Sequence, residues 1–145
     1  MLRKLGIIAV LSMLVVALAA VPALAQNPHE VPSGEPLTCT LNQQGDVVTC
    51  GGELAGLGNV DFIDVALDLD AGCATRGNEN EPPGHFQVVA EDIPVDQSGR
   101  ATFSVEAAPD CPGGLNEVFG ETATITVFEA GTTNELFTSG PITIT

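Results

Sequence analysis

The chain has 145 residues, with 19 acidic side chains against four lysines and arginines, for a formal charge of −15. Six phenylalanines are its only aromatic residues. A charge of this sign excludes nucleic-acid recognition and adhesion to anionic membranes, because both depend on Lys and Arg contacts with phosphate.

Arg3 and Lys4 precede an uncharged apolar run over 5–20, and Val21-Pro22-Ala23-Leu24-Ala25 ends in an Ala-x-Ala pattern. This predicts a signal peptide over 1–25 for Sec-type export, cleaved after Ala25. An uncleaved membrane anchor is the competing reading, since the run is long enough to span a bilayer. Arg3 has no second arginine beside it and no cysteine follows Ala25, so neither a twin-arginine signal nor a lipid-modified N-terminus is indicated. Cleavage leaves 120 residues, enough for one domain, with Arg76 and Arg100 as the cations and a net charge of −17. The mature chain is expected to be a secreted, soluble monomer that self-repulsion keeps apart.

Residues 26–36 hold Pro28, Pro32, Gly34 and Pro36 without periodicity and read as a flexible lead-in. From 37 to 145 the pattern is short alternating runs broken by Gly, Pro, Asn and Asp, which predicts an all-β domain. The first two runs, 37–41 and 47–50, flank a turn centred on Gln44-Gly45. Antiparallel pairing about that turn sets Cys39 opposite Cys50 and Leu41 opposite Val48 on one side of the hairpin. A third run, 60–71, directs Ile63, Val65, Leu67 and Leu69 one way and Phe62, Asp64, Ala66, Asp68 and Asp70 the other. After a polar loop beginning at Ala74, Phe86, Val88 and Ala90 alternate in a fourth strand. Ala101, Phe103, Val105 and Ala107 line a fifth. Ala123, Ile125 and Val127 mark a sixth, and Leu136 to Thr138 a seventh, with Ile142 and Ile144 closing the chain. About seven antiparallel strands at this spacing predict an immunoglobulin-like two-sheet sandwich, without the Cys…Trp…Cys signature.

An oxidising compartment makes the four cysteines two disulfides. The hairpin register pairs Cys39 with Cys50, which leaves Cys73 for Cys111. Zinc is set aside because no Cys-x-x-Cys occurs.

Five stretches carry a resemblance: Val48-Thr49-Cys50 with Ala55-Gly56-Leu57-Gly58-Asn59; Cys73 ahead of Gly77-Asn78 and Pro82-Pro83-Gly84; Gly99-Arg100-Ala101-Thr102-Phe103-Ser104-Val105; Cys111-Pro112; and Ala123-Thr124-Ile125-Thr126-Val127. Over 37–127 the chain resembles an uncharacterised family of small exported bacterial proteins. It departs from that pattern at Pro83-Gly84-His85-Phe86 and in having no Trp after Cys111-Pro112. The resemblance implies export, a β fold and disulfides, and implies no chemistry.

Three constellations invite a functional reading. Asp68-x-Asp70-x-Gly72 with Glu79 has hard oxygen donors, yet an EF-hand fails because Cys73 stands where the loop needs Gly. A looser calcium site from Asp70, Asn78, Glu79 and Glu81 is the remaining metal reading, against a solvated acidic loop. His85 is the histidine of the domain proper, but no Gly-x-Ser-x-Gly elbow accompanies it, so catalytic residues and cofactors are not expected. Phe62 and Phe128 have outward parity, and a hairpin with partners summing to 265 would set Phe128 against Phe137. These three form a candidate contact patch, with a second core layer as the alternative. The expected function is a non-enzymatic extracellular interaction module for an unknown protein partner. The alternative is a carrier of a small apolar molecule, with an exported hydrolase third.

Overall fold

The computed structural model describes residues 26–79 and 84–145. The expected signal segment over 1–25 lies outside the described residues, as does the loop segment 80–83. Every regular element among the described residues is a β-strand: β1 His29–Glu30, β2 Thr38–Leu41, β3 Val48–Ala55, β4 Phe62–Thr75, β5 His85–Pro94, β6 Ala101–Ala107, β7 Leu115–Glu129, β8 Glu135–Thr138 and β9 Ile142–Thr143. No helix among these residues is long and apolar enough to cross a membrane.

The strands form two antiparallel sheets, as the alternation predicts. In the first, β3 is central, with β6 along one edge and β2 and β1 in succession along the other. In the second, the order is β5-β4-β7, and β8 and β9 share the far edge of β7. The chain's last residues close one side of the stack. Leu41 donates its N–H to the Thr145 carbonyl at 2.8 Å, and Thr145 donates back to Cys39 at 3.0 Å. On the opposite side, β5 ends the second sheet among the described residues.

The core lies between the sheets, where period-two patterning turns one face of each strand inward. Leu54, Leu57, Ile63, Val65, Leu67, Ile125 and Val127 are fully buried, from β3, the β3–β4 turn, β4 and β7. No buried charged or polar residue interrupts them among the described residues. The Cys39–Cys50 disulfide sits in this core across directly opposed positions of β2 and β3, with Cα atoms 4.1 Å apart. Cys73–Cys111 ties the far end of β4 to the loop before β7, with Cα atoms 5.4 Å apart. Both bridges join the expected partners.

Two segments differ from the sequence reading. The lead-in is bound to the first sheet rather than free: His29–Glu30 pairs with β3, Val31 is buried, and Asn27 donates to the Gly56 carbonyl at 3.0 Å. Its prolines remove donors, yet edge pairing at two residues needs few of them. β7 begins at Leu115 rather than near Thr122, because 115–119 pairs with the far end of β4, Ala71 to Thr75. A register shift around Gly120 interrupts the alternation there and hides the strand's first half.

Candidate interaction surface

The outer face of the second sheet gathers most of the residues singled out in the sequence. On β4, the side chains that alternate with the core row are Phe62, Asp64, Ala66, Asp68 and Asp70. Ala66 lies opposite Val89 of β5 and Thr126 of β7, and Asp64 lies opposite Phe128. Because Ala130 donates its N–H to the Phe62 carbonyl at 3.1 Å, Phe62 sits one diagonal step from Phe128 on the same face. Phe62 keeps 48% and Val89 46% of their surface exposed, whereas Phe128 is half-buried and Ala66 is covered. The result is a shallow apolar strip, Phe62–Phe128–Ala66–Val89, on an otherwise polar sheet face.

Phe137 does not join this strip. The turn closes with Glu129 donating to the Asn134 carbonyl at 3.0 Å, and a bulge then pairs Phe128 with Glu135 and Val127 with Phe137. Phe137 therefore shares the inward parity of Val127 and packs against the core. The expected Phe128–Phe137 pair is corrected by this bulge, which shifts the β7–β8 register by one residue and turns Phe137 inward. Asp64 fixes this geometry from the side. One of its carboxylate oxygens accepts from the Asp92 N–H and the other from the Gly131 N–H, both at 3.0 Å. A single carboxylate thus braces the bulge of β5 and the β7–β8 turn.

His85 stands at the start of β5 on the same open face, with its side chain 66% exposed. Its Nε2 lies 3.1 Å from Asp68 Oδ1, and Gln87 Nε2 donates to the same oxygen at 2.8 Å. This is a polar cluster across β4 and β5.

The calcium candidates lie at the end of β4 and in the β4–β5 loop, where Asn78 donates its N–H to the Thr75 carbonyl at 2.9 Å. Asp70 abuts Gly120 of β7, while the Glu79 carboxylate accepts from Asn116 Nδ2; Glu81 lies outside the described residues. Among the described residues no three His, Cys, Asp or Glu side chains converge as a metal site.

A feature that sequence reasoning missed is an open groove of about 800 Å³ at the seam side, below the Gln44-Gly45 turn. Leu41, Val118, Phe119 and Ile144 give it apolar walls, and Glu79, Glu117 and Glu121 stand around it. Its parts come from the β2–β3 turn, the β4–β5 loop, the bulged region of β7 and the chain end, so no local motif announces it. Val89 was missed because it reads as an ordinary strand residue until its position on the sheet edge is known.

The fold and its exposed faces define a disulfide-stapled, acidic, two-sheet β protein. Comparison of the chain with protein-family models, with curated proteins and with solved structures finds no match.

Proposed function

We propose that the protein is an exported, non-enzymatic module of immunoglobulin-like architecture that works by contact, through the outer face of its second sheet. The observation that carries this reading is the exposed strip of Phe62 and Val89 on a flat sheet face braced by Asp64. Apolar side chains on a rigid strand surface lose little conformational entropy when covered, which suits them to protein contacts. Export is supported by the Ala25 cleavage pattern, by the resemblance to exported bacterial proteins, and by two disulfides that persist in an oxidising compartment. The immunoglobulin-like label is supported by the strand order β5-β4-β7-β8 set against β2-β3-β6.

The test compares retention of natively exported protein and a Phe62→Ser variant by the surface and extracellular material of the producing cells. The reading expects the variant to stay folded and to be released into the medium. Equal retention of both proteins would overturn it. The second reading, a carrier for a small apolar molecule, is favoured by the groove walled by Leu41, Val118, Phe119 and Ile144. A ligand mass accompanying the native protein, and lost in Phe119→Glu, would decide for it.

A further inference from the structure

The open side of the second sheet has a built-in direction. Ala71 donates its N–H to the Gly84 carbonyl at 2.9 Å, so these two residues form a hydrogen-bonded pair at the start of the β4–β5 ladder. Two-residue steps from that pair make Leu69 with Phe86, Leu67 with Val88 and Val65 with Ala90 the further hydrogen-bonded pairs. The backbone N–H and C=O groups of Phe86, Val88 and Ala90 are thereby used on β4. Those of His85, Gln87 and Val89 point away from the sheet, and among the described residues no other strand pairs with β5.

Edge strands are ordinarily protected by lysines, prolines or bulges. β5 has its protection at one end, where Asp92 adopts φ 55° and Pro94 follows. From Phe86 to Ala90 it has none. Phe86, Val88 and Ala90 on the inner side are half-buried, unlike their fully buried neighbours on β4, and Val89 is exposed on the outer side. A strand added here would complete the hydrogen bonding and cover apolar side chains on both faces.

Charge selects the occupant. Beside the edge stand Asp64, Asp68 and Asp70 on the outer face of β4 and Glu91 and Asp92 on β5. Of the described cations, Arg100 pairs with Glu53 at 3.4 Å, and Arg76 lies in the β4–β5 loop. A second copy of this chain would set like charges against each other. We propose that β5 accepts an extended segment of a basic partner, with apolar residues toward Phe86 and Val88 and Lys or Arg residues toward the β4 carboxylates. This is strand addition to a sheet edge, in which the main chain supplies affinity and alternate side chains supply selectivity. It rests on the contact-module reading and names the edge, mode and partner chemistry for it.

The probe is a capped alternating Val-Lys octapeptide, titrated into the oxidised full domain while backbone amide exchange is followed by NMR. The inference expects new protection at the amides of His85, Gln87 and Val89, whereas those of Phe86, Val88 and Ala90 are protected before the peptide is added. A Val89→Pro variant removes an outward donor without touching the β4 ladder and should bind about tenfold more weakly, while Val89→Thr, which keeps the donor, binds as the parent does. The alternating Val-Glu peptide should bind at least about tenfold more weakly than the Val-Lys peptide. Binding without the alternating protection, equal binding of the acidic peptide, or no binding at all would each overturn strand addition. Protection of the wild-type amides decides the matter even if Val89→Pro fails to fold. None of these outcomes touches the Phe62→Ser retention result, so the two readings fail separately.

Discussion

Single residues carry constraints here that their chemistry explains. Gly56 sits at φ 76° in the β3–β4 turn, and a Cβ there would collide with the Asn27 carbonyl oxygen. The turn can be tight, and the segment before β1 can lie against it, only because that side chain is absent. Gly56→Ala should therefore lower unfolding free energy by about 2–4 kcal/mol in denaturant titration, and it should loosen the 26–36 segment first. Asp96 gives a pH-dependent case. Its Oδ1 accepts from the Ser98 hydroxyl at 2.7 Å, from the Ser98 N–H at 2.8 Å and from the Arg100 N–H at 3.0 Å. These bonds, the Ser98 hydroxyl foremost, hold its carboxyl below the ordinary value of 3.8. A depressed carboxylate stabilises the fold above its unfolded-state pKa, and the contribution disappears as pH falls through the folded-state value. The melting temperature of Asp96→Ala should thus lie below that of the parent at neutral pH, and the gap should close in acid.

At the scale of elements, the sequence is most legible where period and register coincide. The β2–β3 hairpin was readable because one register united Cys39 with Cys50 and Leu41 with Val48, and the observed pairing is that register. β6 was readable because its seven residues alternate without interruption from Ala101 to Ala107. The first half of β7 and the β7–β8 register were not, since each contains a bulge, and a bulge changes parity without leaving a distinctive residue. The Cys73–Cys111 bridge lies beside that hidden half, next to the pairing of Ala71–Thr75 with 115–119. In the chain-entropy account, closing a loop with a separation of 38 residues is worth about 4 kcal/mol. Replacing both cysteines with serine should lower stability by roughly that amount in denaturant titration. Amide exchange should rise at 71–75 and 115–119 before it rises in β3 or β6.

The described residues combine an apolar core with a strongly acidic exterior, on which the Phe62–Val89 strip and the groove at Leu41 expose apolar side chains. Phe62 and Phe137 separate the two environments. Phe62→Ser should leave stability within about 1 kcal/mol of the parent, whereas Phe137→Ser, which exposes core contacts, should cost about 2 kcal/mol or more by thermal unfolding. Similar losses from both substitutions would place Phe62 in a packed layer and remove the contact surface. The candidate site was half legible. Outward parity marked Phe62 and Phe128, but the edge position of Val89, the brace at Asp64 and the groove beside Phe119 depend on which strands become neighbours.

Local chemistry in the chain determined the strand class, the sidedness of the strands without bulges and the Cys39–Cys50 pair, which left Cys73 for Cys111, because alternation and spacing act over a few residues and tolerate no other face. Tertiary structure decided the rest: how far β4 and β7 run together, which way Phe137 turns, and that β5 ends its sheet among the described residues. Those outcomes follow from bulges and from the order in which distant strands pack, and neither is written in the period of any one segment.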